Sequence, residues 1–157
     1  MATVPSIVNS RGIVMVADPP WLFTLFSTTR FAWLWLIIRL YAGYKWITSG
    51  IDKLTNPEWW SGEALASFWA GAIEIPAEGR PDISYAWYRA FIQFMHDAQS
   101  YTWFSKVIMF GETLIGVALI LGAFVGIAAF LGGFMNWNFI MAGSASTNGV
   151  LFSLAVI

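Results

Sequence analysis

The stretch "MFGETLIGVALILG", Met109 to Gly122, places one carboxylate in a run of otherwise apolar and small residues. It belongs to a longer apolar segment, 103–121, which can cross about 30 Å of hydrocarbon at about 1.5 Å per residue. No residue from Thr113 to the last one, Ile157, carries a charge. The stretch therefore predicts a membrane helix in which Glu112 needs a partner inside the protein, because an isolated carboxylate is costly in hydrocarbon.

The composition of the whole chain also indicates a membrane protein. Of its 157 residues, 58% are hydrophobic and 11% are charged, which differs strongly from the balance of a soluble domain. Two more segments, 31–51 and 123–141, are long enough to span, and a fourth apolar run starts near residue 149. We predict an all-α integral membrane protein, a four-helix transmembrane bundle whose fourth helix, 149–157 onward, is truncated in the given chain.

Two segments outside the spans are predicted to lie at the membrane surface. Residues 1–30 lack the pattern of a cleaved signal peptide and form an aromatic-rich N-terminal interfacial arm. Residues 54–102 form an extramembrane loop with two amphipathic helices, about 57–71 and 82–98, which rest on the membrane surface or cap the bundle. The segment "IPAEGRPD" separates them, because proline and glycine break helices. The remaining chain, 31–157, is the transmembrane domain, and the distribution of Lys and Arg leaves its sidedness open.

Residue counts exclude several kinds of chemistry. The chain has no Cys and one His, so it cannot by itself form a disulfide relay, an iron–sulfur cluster or a bis-histidine haem site. We expect no metal site and no covalently bound cofactor. The formal net charge is -1 and no basic patch is present, so nucleic acid is not an expected partner. His96, beside Asp97, is either a surface proton relay or a solvated interfacial histidine.

The first span offers cationic partners for Glu112. By helical rise, Arg39 lies about 12 Å and Lys45 about 21 Å from the arm side of the membrane. Counted from Trp103 on the other side, Glu112 lies about 16 Å from the arm side, between those two depths. We predict an ion pair, most simply with Arg39, which serves either helix register or chemistry.

Helix faces that contain small residues predict close packing between the spans. On one face of the first span, small and polar residues recur at steps of 4, 3, 4 and 3 together with one tryptophan: Arg39, Gly43, Trp46, Gly50 and Lys53. A stripe on the third span ends in an amide: Gly126, Ala129, Gly133 and Asn136. Asn138 is about 200° round that helix from Asn136, so the two amides face different sides. The depths predict that four side chains converge in one half of the bilayer: Arg39, Lys45, Glu112 and Asn136.

The patterns "RLYAGYKWITSGIDKL" and "GETLIGVALILG", followed by a short turn, a third apolar helix and an Asn-bearing segment, resemble the DoxX family of small four-helix membrane proteins. The resemblance covers residues 31–157. In the first span it rests on four residues: Arg39, Gly43, Gly50 and Lys53. In the second it rests on Glu112 and Gly116. The turn "GAFVG" lacks the basic residue often found there in the family, and the aromatic loop is longer than in the smallest members.

The resemblance implies a multi-pass protein of the prokaryotic cytoplasmic (inner) membrane, with its long loop outside the cytoplasm. It further implies quinone-linked electron transfer, as in the DoxD-type subunit of thiosulfate:quinone oxidoreductase, with quinone as the noncovalent ligand. In this interpretation Glu112 and Arg39 are catalytic. The residues expected to bind substrate or quinone are Lys45, Lys53, Asn136 and Trp46.

Two other interpretations follow from the sequence. The expected partners are the lipid bilayer and other subunits of a membrane complex, so the chain is alternatively a non-catalytic accessory subunit of a larger respiratory or photosynthetic assembly. An aromatic-rich second face on the third span favours it: Phe130, Phe134, Trp137 and Met141. A transporter or channel is less well supported, because the polar residues are too few to line a path and no inverted repeat is visible.

Overall fold

The computed structural model describes four stretches of the chain: residues 6–8, 14–16, 19–144 and 146–156. The chain divides into two compact units, residues 1–38 and 39–157, which are described in turn.

The first unit contains a short β ribbon and the first helix. Strand β1, Ser6–Val8, pairs antiparallel with β2, Val14–Val16. This short ribbon is formed by segments rich in β-branched residues, which favour strands, and the rest of the described chain is helical, as the all-α prediction expects. Helix α1, Pro20–Ser27, begins with a proline, which suits the first turn of a helix. A 3-10 turn at Thr29–Phe31 leads into the next helix.

The helices that follow account for most of the described chain. They are α2 (Ala32–Thr55), α3 (Pro57–Ser61), α4 (Glu63–Ile73), α5 (Ala86–Asp97), α6 (Tyr101–Leu121), α7 (Val125–Met141) and α8 (Asn148–Val156). The four predicted spans coincide with α2, α6, α7 and α8 to within four residues at each end. The predicted helix at 57–71 is instead divided at Gly62, which has a φ of 90° that favours glycine.

Of the described helices, α6 alone is long and apolar enough to cross a membrane. The segments Pro20–Ser27 and Thr29–Thr55 meet the same criterion only when this bent pair is counted as one span, and α7 is apolar but shorter. The chain is thus helical with one clear apolar span, while the four-helix transmembrane bundle stays a prediction.

Helices α2 and α6 pack antiparallel through small residues. A Cβ atom added to Gly116 of α6 would lie 2.6 Å from the backbone nitrogen of Ile47, so the two backbones are nearly in contact. Gly43 packs against Gly116, and Gly50 against Thr113. Positions that rise in number along α2 therefore meet positions that fall along α6. The predicted glycine face of the first span is confirmed as the face that contacts α6.

The small-residue stripe predicted on α7 is only partly a packing face. Gly126 is exposed with open space around it, whereas Gly133 packs against Ala155 of α8 at 3.3 Å, measured from an added Cβ. A neighbouring face is buried as well, because Gly132 lies under the indole of Trp46. Helix α7 contacts α2 on one side and α8 on another, so a single stripe of small residues could not form both contacts.

Helices α3, α4 and α5, with the loop 74–85, form a cap over one end of α6 and α7. Its core is a cluster of buried side chains that includes the ends of those two helices: Leu65, Trp69, Ala72, Ile83, Tyr88, Ile92, Ile108 and Ala142. The loop helices thus pack against α6 and α7, and their place at the membrane surface stays a prediction.

Candidate functional site

Glu112 forms an ion pair with Lys53 near the end of α2. The Lys53 Nζ donates a hydrogen bond to Glu112 Oε2 at 2.7 Å, and the side chains are 18% and 2% exposed, respectively. The same ammonium donates to the Ser49 hydroxyl at 2.7 Å and lies 5.1 Å from the centre of the Trp59 ring. Hydrogen bonds, an opposite charge and an aromatic face thus surround the Lys53 ammonium.

The predicted pairing of Glu112 with Arg39 is wrong, and the reason is helix register. The depths obtained from helical rise place Glu112 level with about residue 42 of α2. They assume that each helix enters the membrane at its first aromatic residue. The glycine contacts instead place Gly50 against Thr113, a shift of roughly two helical turns. This register brings Lys53, rather than Arg39, to the carboxylate.

Arg39 lies at the C-terminal end of α6. Its guanidinium packs against Gly122, the C-cap of that helix, which has a φ of 72° and no room for a Cβ atom. A cation is favourable there because the helix dipole is negative at its C-terminus. The Nε atom of Arg39 is buried and makes no hydrogen bond with any described residue.

The other residues predicted to bind substrate lie in separate places. Lys45 is 6.0 Å from the ring centre of Tyr41. Trp46 belongs to the core with Ile115, and Asn136 is fully buried with neither amide atom hydrogen-bonded within the described part of the chain. The predicted convergence of these residues with Glu112 is therefore not seen for Arg39 or Lys45.

A cavity of about 970 Å³ lies between the cap and helices α6 and α7. Its walls are mostly apolar and aromatic, and Lys53, Glu112 and Ser49 form a polar part of the lining. Among the described residues that line it, neither Arg39 nor His96 occurs. His96 is 3.8 Å from Asp97 on the cap, so it stands apart from this cavity. The buried ion pair thus forms part of the cavity wall.

A second polar contact lines the same cavity and was missed by sequence reasoning. The hydroxyl of Tyr88 on α5 donates to the backbone oxygen and to Oδ1 of Asn138 on α7, both at 3.1 Å. Asn138 Nδ2 donates in turn to the oxygen of Phe134 at 2.8 Å. Burial raises the pKa of Tyr88 to about 12, which keeps the hydroxyl a neutral donor. The sequence indicated only that Asn138 faces a different side of α7 from Asn136, because the two residues are about 200° apart around the helix.

The family model for DoxX matches residues 34–143. The chain belongs to the DoxX family. This match confirms the resemblance seen in the first two spans, and DoxX proteins are membrane-associated. No curated protein and no solved structure is similar enough to this chain to count as a match.

The DoxX segment contains the main parts of the site. The ion pair, the Tyr88–Asn138 contact and the cap all lie between residues 34 and 143, whereas α8 lies beyond that segment. In the described part of the chain, no group of three His, Asp or Glu side chains is placed to hold a metal ion. The ammonium and the carboxylate that line the cavity can donate and accept hydrogen bonds and exchange protons.

Proposed function

We propose that this DoxX protein is a multi-pass subunit of the prokaryotic cytoplasmic membrane that binds quinone and takes part in quinone-linked electron transfer. The observation that supports the proposal best is the Lys53–Glu112 pair in the wall of a mostly apolar cavity. A titratable pair beside a mostly apolar pocket is the usual setting of a ligand site.

The lining of the cavity fits a quinone head. A quinone is a planar ring with apolar faces and two carbonyl oxygens, and Phe104 and Phe139 supply aromatic wall. Lys53 would donate a hydrogen bond to a carbonyl oxygen, and Glu112 would hold a proton close to it. Reduction of a quinone to a quinol consumes two electrons and two protons. The carboxylate of Glu112 is 2% exposed, and such burial strengthens its electrostatic interactions.

The electron donor is proposed to be a diffusible molecule or another subunit. The sequence has no Cys, so the chain has no thiol or iron–sulfur centre of its own. Thiosulfate is the donor that the family suggests, and its oxidation would need a partner chain. Arg39 and Lys45 do not line the cavity, so the proposal assigns them no role in quinone binding.

Binding of a benzoquinone to the purified protein in lipid nanodiscs, followed by isothermal titration calorimetry, tests the proposal. We expect Lys53→Met to raise the Kd at least about tenfold, because it removes the donor that faces the cavity. Lys45→Met is the matched control, since it removes the same charge from the same helix away from the cavity. Lys53→Arg, which retains a cation, should recover part of the affinity.

Two results would contradict the proposal. One is a wild-type protein that binds no quinone, and the other is an equal loss of affinity in the Lys53→Met and Lys45→Met variants. Circular dichroism and thermal unfolding of each variant separate loss of binding from loss of fold. Thiosulfate-dependent reduction of quinone by native membranes, with and without Glu112→Gln, then tests the electron donor.

An accessory role in a larger complex is the second candidate. Side chains on one face of α7 are large, aromatic and exposed, with Phe130 72% exposed and Phe134 and Trp137 beside it. Such an exposed apolar face suits contact with another membrane subunit. Native electrophoresis of a mild-detergent extract, with mass spectrometry of comigrating chains, tests this role: comigration with respiratory or photosynthetic core subunits would support it.

A further inference from the structure

The cavity has an outer wall made of two helix stripes. Four residues of α6 at steps of 4, 3 and 4 line it: Val107, Gly111, Leu114 and Ala118. Four residues of α7 at steps of 4, 3 and 4 face them: Ile127, Leu131, Phe134 and Asn138. Each stripe occupies one side of its helix, so the two together form a groove between α6 and α7.

This groove is open to the outside of the protein. Leu114 on one side is 66% exposed and Leu131 on the other is 45% exposed, although both line the cavity. At Gly111 an added Cβ would contact the thioether of Met135 at 3.4 Å, so Gly111 and Met135 form the floor of the groove at that level. The cavity thus continues to the protein surface between these two helices.

The polar pair lies directly behind the groove. Glu112 follows Gly111 in sequence, and successive residues of a helix are about 100° apart, so the carboxylate faces inward where the glycine faces the groove. Neither stripe contains a charged side chain, and α6 is the clear apolar span. A ligand reaching Glu112 by this route would pass apolar residues first and meet charges last.

We propose that the groove is a lateral entrance from the bilayer that holds the apolar tail of the quinone. The ligand is accordingly an amphiphile that resides in the membrane, with its polar ring at Lys53 and Glu112 and a long hydrocarbon tail between Leu114 and Leu131. The distribution of apolar and polar groups favours this ligand. The uncharged stripes suit a hydrocarbon tail, and the ion pair behind them suits a polar head. The inference rests on the proposed function and narrows the ligand to long-tailed quinones.

The test compares a long-tailed quinone with its head-only analogue in lipid nanodiscs. Leu131→Trp fills the groove, so we expect at least a tenfold rise in the Kd of the tailed quinone and less than a twofold change for the head-only analogue. Phe130→Trp is the matched control, since this neighbouring residue is also exposed on α7 but is not among the described residues that line the cavity. It should leave both affinities within twofold of wild type.

The outcomes separate the groove from the quinone site itself. If head-only binding depends on Lys53 while the Leu131→Trp variant binds the tailed quinone normally, the groove is refuted and the site stands. Equal weakening of both ligands by Leu131→Trp would also refute the groove, because the change would then act on the head site. If wild-type protein binds neither quinone, the proposed function fails and the inference fails with it.

Discussion

Replacing Lys53 by Met should leave the carboxylate of Glu112 buried without its counter-charge. The side chain of Glu112 is 2% exposed, and its one ion-pair partner among the described residues is Lys53 at 2.7 Å. Removing one member of such a buried pair typically costs about 3 to 5 kcal/mol of unfolding free energy. Since Lys53 is itself 18% exposed, we expect the lower end, about 3 kcal/mol.

Combining substitutions of Lys53 and Glu112 measures the interaction between the two side chains. In Lys53→Met combined with Glu112→Gln, neither charge remains, so the cost of an unpaired buried charge disappears. We expect this variant to be about 2 kcal/mol more stable than the sum of the two single effects predicts. That difference is the coupling free energy of the pair.

Arg39 supplies the control, because the sequence favoured it as the partner and the structure places it at Gly122 instead. Arg39→Met and Glu112→Gln should be additive within about 0.5 kcal/mol. Unfolding in mixed micelles, followed by tryptophan fluorescence, gives all the free energies. Additive effects for Lys53 and Glu112, or a larger coupling with Arg39, would refute the helix register described above.

The remaining predictions concern packing and the cap. Gly116→Ala should destabilise the protein by about 2 kcal/mol or more, because its Cβ would meet backbone atoms of α2. Gly126→Ala, with open space around it, should be neutral or slightly stabilising. Equal effects of the two substitutions in a thermal unfolding assay would contradict the close contact of α2 and α6. Burial raises the pKa of Tyr88 from 10.0 to about 12, so the folded state holds its proton more tightly than the unfolded state, and the resulting stability is complete below pH 10 and lost as the pH rises towards 12. Over that range the wild type should lose about 2 kcal/mol more than Tyr88→Phe in denaturant titrations, and parallel curves for the two proteins would show that the hydroxyl is not buried against Asn138.

Local patterns in the sequence predict the helices and the contact face of the first span. Long apolar runs locate α2, α6 and α7, because a segment in hydrocarbon must satisfy its backbone hydrogen bonds internally and so becomes helical. The spacing of Gly43, Gly50 and Lys53 predicted a shared face, since helix periodicity is a local property of the chain. The burial and pairing of Glu112 followed from the cost of an isolated charge.

Contacts between residues of different helices depend on how the helices pack. The partner of Glu112 depends on how far α2 slides along α6, and that register is set by close contacts at Gly50 and Gly116 that no local pattern reveals. The contact between Tyr88 and Asn138 joins residues 50 positions apart, and it exists because the cap folds back over the end of α7. The cavity has the same origin: it is the space left between packed elements, so its shape belongs to the assembly of the helices and to no single segment.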